Sequence, residues 1–281
     1  MKNYKFNCLF CFLLFFTFIY CSSIQAQYSY LVDALAKIKD RALELNNYTF
    51  TSGGSIYGAY LQNGSSISLT YPFEYGNDYK IIGYADEDVQ DLDLYLLTID
   101  GDEITKDVTT DNTPELDYTP PYSGSRTIKI LNYQSSAPSF CLIAILVREY
   151  DYGNKKELFR QAAYGISLMS GVLNEADLIF TSGFCLFGSY LSSSSSDFFD
   201  NFSVETSGDY TYFASCSDNG EDTDVIIHDK NSGEIICKDQ TTNKYAATSC
   251  SLSSYKTYKL EYKNYRSDGG AFVISAIMKS Q

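Results

Sequence analysis

Tryptophan is absent from the 281 residues, histidine occurs once and methionine three times. Without tryptophan the chain lacks a common sugar-stacking platform, and the lone His228 leaves no histidine pair for a metal. Basic residues are also few, 21 against 35 acids for a net charge of −14. Such an acidic balance disfavours nucleic acid and anionic lipid surfaces and suits an exported or cation-binding protein. No GxSxG nucleophile elbow occurs. Of the five cysteines beyond residue 26 none forms a CxxC pair or a Cys/His ligand set, which argues against structural zinc. Only one long apolar run exists, Leu9 to Cys21. It follows Lys2 and Lys5 and precedes SSIQA, the layout of a secretory signal peptide ending at Ala26. A membrane helix needs about 20 apolar residues, so no transmembrane segment is expected after cleavage. Bulky Tyr20 before Cys21 argues against lipidation. The expected location is secreted or cell-surface, extracellular or periplasmic.

What is abundant points to strands. Tyrosine occurs 26 times and phenylalanine 18 times, among many Ser, Thr and Gly that suit hydrophilic sheet faces. The chain also repeats itself. TSGGSIYGAYL (51–61) matches TSGFCLFGSYL (181–191), and NDYKIIGYADEDVQDLDLYL (77–96) matches GDYTYFASCSDNGEDTDVII (208–227). GDEITKDVTTD (101–111) matches GEIICKDQTTN (233–243), and NYQSSAPSFCLIAI (132–145) matches NYRSDGGAFVISAI (264–277). The match is colinear with single-residue insertions, so the unit of folding is duplicated. The expected division is a signal peptide over 1–26, one unit over 27–150 and a second over 151–281.

An amphipathic helix is expected to precede each copy. Leu31, Leu35, Ile38, Ala42 and Leu45 share one helical face, as do Phe159, Ala162, Ile166, Met169 and Leu173. Each stripe is expected to cover its own domain, with contact between domains or subunits as the alternative. Gly165 and Gly171 weaken the second helix. After each helix come short runs broken by turn residues. In copy one they are SIYGAYL, SISLTY, YKIIGYA, DLDLYLL, EITKDV, PELDYT, RTIKIL and FCLIAILV. Eight strands with no helix between them predict a mostly β fold, two tandem antiparallel sandwiches of jelly-roll type. Hairpins are expected at Asp100-Gly101 and around Asn231-Ser232-Gly233. In DLDLYL the leucines face the core and Asp91, Asp93 and Tyr95 face solvent. LSSSSSDFFD (191–200) reads as a flexible loop with Phe198 and Phe199 as a contact point.

These residues carry a resemblance. Tyr-x-Ile-x-Gly (79–83), an acidic turn, DLDLYL, the Asp-Gly hairpin, TPELDYTPPYSG and the TIKIL strand are similar to the bacterial pre-peptidase C-terminal domain and its exported relatives. The likeness covers 51–147, and 181–278 more loosely. It implies a small β-sandwich module with a noncatalytic accessory or surface role, and no family active site to transfer.

The acids pose the remaining chemical question. An EF-hand fails, because with Gly101 at position 6 the first ligand is Leu96 and the flanks are strands. A nonstandard calcium site is the candidate cofactor site, built from Asp86, Asp88, Asp91, Asp93 and Asp107 in copy one and Asp222, Asp224 and Asp239 in copy two. Glycoside hydrolysis needs paired carboxylates in a shaped pocket that nothing here indicates. A Cys237–His228 pair across the second hairpin is the one conceivable nucleophile, outweighed by an ordinary surface histidine. No catalytic residue is assigned. Five cysteines remain after the leader, Cys141, Cys185, Cys216, Cys237 and Cys250; Cys141 in FCLIAILV reads as a buried apolar residue. A disulfide joining two of Cys216, Cys237 and Cys250 would staple copy two, with Cys216–Cys250 preferred. Sequons stand at Asn47, Asn63 and Asn201. The resulting expectation is noncatalytic binding or assembly at a surface, with a protein or glycan partner or with itself. A secreted hydrolase, or its accessory region, and a filament subunit are the alternatives.

Overall fold

The computed structural model describes residues 27–149 and 153–281; the expected leader lies outside them. A helix through 27–44 (α1) leads into nine strands: β1 (Tyr48–Phe50), β2 (Gly53–Leu61), β3 (Ser66–Phe73), β4 (Tyr79–Ala85), β5 (Val89–Leu97), β6 (Glu103–Asp107), β7 (Glu115–Tyr118), β8 (Gly124–Ser135) and β9 (Ser139–Arg148). Helix α2 (Gly153–Glu175) then leads into nine more: β10 (Leu178–Phe180), β11 (Gly183–Leu191), β12 (Ser195–Phe202), β13 (Gly208–Cys216), β14 (Gly220–Asp229), β15 (Ile235–Asp239), β16 (Tyr245–Leu252), β17 (Tyr258–Ser267) and β18 (Ala271–Ser280). The eight runs read from copy one form β2 to β9. The three-residue β1 and β10 are too short for a period to show. The serine-rich stretch is a strand rather than a loop: β12 pairs with β17 from Ser195 onward, its apolar positions hidden by an irregularity between Phe199 and Phe202.

The strands form three antiparallel sheets. One runs β16-β13-β18-β11-β2-β9-β4-β7, with β1 added on β9 and β10 on β18; the others are β3-β8-β5-β6 and β12-β17-β14-β15. With β1 and β10 set aside, each copy supplies eight strands in the jelly-roll order, four to the common sheet and four to its own. The common sheet is closed by β2 and β11, antiparallel at Gly183↔Tyr60 and Phe184↔Ala59. Glycine makes the approach possible. A Cβ on Gly58 would stand 3.0 Å from Leu186 Cβ, and one on Gly188 would stand 3.0 Å from Ile56 Cβ.

Both helices lie on the common sheet, so β9 and β18 are buried along nearly their whole length. That double burial is why FCLIAILV reads as a continuous apolar run. The predicted stripes face inward: Leu31, Leu35, Ile38, Ala42, Phe159, Ala162 and Ile166 are buried. The helices also cross the copy boundary. Gln27 of α1 bonds the backbone N–H of Phe180 at 2.9 Å, and Lys156 of α2 donates to the Leu45 carbonyl at 2.5 Å. Gly171 leaves room for Tyr28, and Gly165 for Ser215, so both helical glycines serve close packing. Rings interlock similarly: Phe50 packs at an angle against Phe159 and edge-on against Phe272, and Phe180 edge-on against Phe140.

Candidate functional site

The acidic turns are built from backbone caps. Asp107 Oδ1 accepts from the Thr109 N–H and hydroxyl, and Oδ2 from the Glu115 N–H at 2.9 Å. Asp239 repeats this with Thr241 and, at 2.9 Å, the Ala247 N–H. Asp86, fully buried, accepts the Phe140 N–H at 2.7 Å and the Asp88 N–H at 3.1 Å. Burial raises its carboxyl to about 6. Asp88 takes the Ser136 hydroxyl, and Asp93 the Tyr95 hydroxyl.

Asp91 and Asp93 are buried, contrary to the solvent face expected for them, and so are Asp222 and Asp224 of copy two. The segments between β6 and β7 and between β15 and β16 fold over them: Leu92 N–H bonds the Asp111 carbonyl, and Thr223 N–H the Asn243 carbonyl, both at 2.8 Å. Asn243 N–H in turn bonds Asp222 Oδ1 at 3.3 Å. Burial raises the Asp91 and Asp224 carboxyls. These eight carboxylates are the ones on which the calcium expectation rested. Among the described residues no three Asp, Glu, His or Cys side chains converge as a metal would require.

The disulfide is Cys237–Cys250, with Cα atoms 6.1 Å apart, which corrects the Cys216–Cys250 pairing. Register explains the difference. Tyr210 is the partner of Cys250 on β13, and Cys216 stands six residues further along, roughly 20 Å away at a strand's rise. Cys216 is a buried thiol whose Sγ faces the Lys244 carbonyl at 3.5 Å, and Cys141 and Cys185 are likewise free and buried. Bonded Cys237 removes the conceivable pair with His228, whose Nε2 instead meets Glu261 at 2.8 Å. Asn47, Asn63 and Asn201 are all exposed, with Asn63 Oδ1 accepting the Ser135 N–H at 3.0 Å.

One concavity was not foreseen. It is a groove of about 1030 Å³ where the copies meet. Its floor is β2 and the start of β11, with Tyr57, Tyr60 and Phe184. One wall is β3, and the other is β12 with the residues that follow it as far as Glu205. β3 and β12 are the outermost strands of their four-stranded sheets, so two sheet edges border the groove. No single stretch of sequence signals it, because its walls lie some 130 residues apart.

The two walls occupy equivalent positions with different chemistry. In copy one Ile67 pairs with Ile130, beside Ala59 of β2. In copy two the same places hold Asp197, paired with Tyr262, and Ser189. The Asp197 carboxylate accepts the Ser189 hydroxyl, the Tyr262 hydroxyl at 3.0 Å and the Phe198 N–H at 2.8 Å. It reaches across the boundary to Gly54, where any Cβ would press on Asp197 and on the Tyr57 hydroxyl. Burial, with Asp197 nearby, pushes the phenols of Tyr57 and Tyr262 upward, and burial pushes Tyr71 up to about 12. These phenols stay protonated near neutral pH, and Tyr262 donates to Asp197. The Ser189 hydroxyl here meets a carboxylate and no imidazole.

No protein-family model matches the chain, and no curated protein does. Many solved structures resemble parts or most of it, and three serve as examples. A periplasmic inhibitor of g-type lysozyme from Aeromonas hydrophila is 8% identical over 34% of this chain and 88% of its own, at TM-score 0.26. A carbohydrate-binding module of Cellvibrio mixtus lichenase 5A is 11% identical over 36% and 80%, at 0.22. The tandem CBM22-1–CBM22-2 domain of Paenibacillus barcinonensis Xyn10C is 10% identical over 84% and 94%, at 0.23. The functional reading rests on the geometry of the chain itself.

Proposed function

We propose that this is an exported, noncatalytic binding protein in which two helix-led, pre-peptidase C-terminal-like sandwiches act as one fused unit. The groove between them holds a protein or glycan chain at a surface or outside the cell. The observation that carries the reading is that groove, which is lined by tyrosine and phenylalanine rings, serine hydroxyls and carboxylates. Concave sites that combine apolar area with a few placed polar groups are the usual places for ligands. A second supporting fact is that no helix among the described residues is long and apolar enough to cross a membrane.

The test compares the mature chain with Ser68→Trp, a bulky plug at an exposed position of β3, on peptide and glycan arrays. Binding that the plug abolishes at unchanged melting temperature is expected. If no ligand distinguishes the two proteins, the groove is not the site; turnover of an arrayed ligand would favour the hydrolase alternative. Self-association has its own support in the exposed Tyr164, Leu168 and Val172 of α2 beside Tyr245. Sedimentation that is concentration-dependent for the native chain and not for Val172→Glu is its measurement.

A further inference from the structure

Resting on that reading, we infer that the occupant of the groove is an extended, basic polypeptide segment that pairs as an added strand with the free edge of β3. The outer edge of β3 has no partner strand among the described residues. Natural proteins block such edges with charge, bulges or a covering segment. From Ser66 to Tyr71 β3 has none of these: it carries no charge, its exposed side chains are Ser66, Ser68 and Thr70, and its only proline, Pro72, stands near the far end. The equivalent edge across the groove is defended. β12 has the irregularity between Phe199 and Phe202, Asn201 at a φ of 65°, and the acids Asp197 and Asp200. A chain entering the groove thus meets one edge open to pairing and one closed to it.

Charge selects the occupant. Asp197, Asp200 and Glu205 line the groove, and no lysine, arginine or histidine does. Asp200 is already paired with Lys230 at 3.1 Å, and Glu205 takes the Ser182 hydroxyl at 2.5 Å. Asp197 also accepts two hydroxyls and an N–H but meets no cationic side chain among the described residues. Its half-buried place between the two walls makes it the seat for an incoming cation. Its neighbour on the groove is the Tyr57 side chain, whereas the Phe198 ring already carries Lys259 at 3.5 Å. A carboxylate beside an aromatic ring suits an ammonium or guanidinium group. In an added strand alternate side chains point the same way. A segment with basic residues at every second position would place one over Asp197 while its backbone bonds β3.

The probe is a capped decapeptide of alternating lysine and threonine, titrated onto the mature chain by fluorescence anisotropy with backbone hydrogen exchange read in parallel. Two controls accompany it: the same peptide with every threonine replaced by proline, which keeps the charge but loses those N–H donors, and neutral cellohexaose. Saturable binding that slows exchange of amides within 66–72 at least tenfold is expected. So is a loss of at least fivefold in affinity for the near-isosteric Asp197→Asn and for the proline peptide. Equal binding of the proline peptide, or no added protection in β3 of the native chain, overturns strand pairing. Protection of the groove by cellohexaose alone overturns this inference while the groove remains a binding site. If no probe binds the native chain, the inference fails, and the array comparison above decides the broader reading separately.

Discussion

The two copies keep the same strand order and diverge where their edges meet something else. Ile67, Ala59 and Ile130 of copy one become Asp197, Ser189 and Tyr262 at the groove. Thr105 and Tyr118 become the disulfide cysteines Cys237 and Cys250, and the buried Asp86 becomes Ser217, which accepts the Phe272 N–H at 3.1 Å. Other pairs are unchanged. Asn132 and Asn264 are both fully buried and donate to the last residue of β2 or β11, Leu61 at 3.3 Å and Leu191 at 2.9 Å. The positions that hold a sandwich together were kept, while those at the junction, the outer edge and the acidic turn changed.

The largest effect is expected at the seam, where the copies depend on each other. Gly58→Ala with Gly188→Ala adds a methyl on each side of a contact with little space. Overpacking of this kind costs roughly 2–4 kcal/mol for the pair. Chemical denaturation should show one transition moved as a whole; two transitions, with only one displaced by either single change, would mean the copies fold separately despite their shared sheet. Next comes the feature found in one copy alone. Cys237→Ser with Cys250→Ser opens a link between residues 13 apart, and loop entropy puts the loss at roughly 3 kcal/mol or somewhat less. Hydrogen exchange should quicken first around β15 and β16 and leave β6 and β7 unaffected.

Much of this comparison was legible in the residues. Alternation and turn glycines gave β2 to β9, and the Asp-Gly hairpin forms with Gly101 at a φ of 94°. Both amphipathic stripes are on helices that bury them. Three features were not legible, each for a physical reason. Asp91 and Asp93 follow a solvent-face rhythm, and only the segment that folds over them makes them buried. The disulfide partner depends on strand register, which cysteine spacing does not encode. The common sheet and the groove depend on β2 meeting β11, a contact between segments with no periodicity that announces it.

A smaller and opposite-signed pair of effects separates the acidic turns by pH. The Asp86 carboxyl is raised to about 6 by burial from an ordinary 3.8. Between those values the folded chain holds a proton that the unfolded chain has released, so stability declines as pH rises through that window. Asp86→Asn retains an oxygen for the Phe140 N–H and removes the buried charge. It should flatten melting temperature against pH between about 4 and 6 and gain roughly 1–2 kcal/mol at pH 7. A slope unchanged by the substitution would assign the pH dependence elsewhere.

The mildest test concerns a device both copies share. Asp107 and Asp239 are held below the usual carboxylate value: burial pushes each upward, but backbone N–H and threonine hydroxyl bonds outweigh it. With folded pKa below unfolded, this stabilisation is present above the unfolded pKa and is lost as pH falls through the folded one. Asp107→Ala and Asp239→Ala should each cost about 1 kcal/mol at pH 7 and progressively less below pH 4. Because the two caps bond equivalent groups, the costs should agree within about half a kilocalorie per mole, the usual scatter for independent sites. A much larger loss for Asp239→Ala would show that its turn, which leads into the disulfide-bonded strand β16, bears load that the turn before β7 does not.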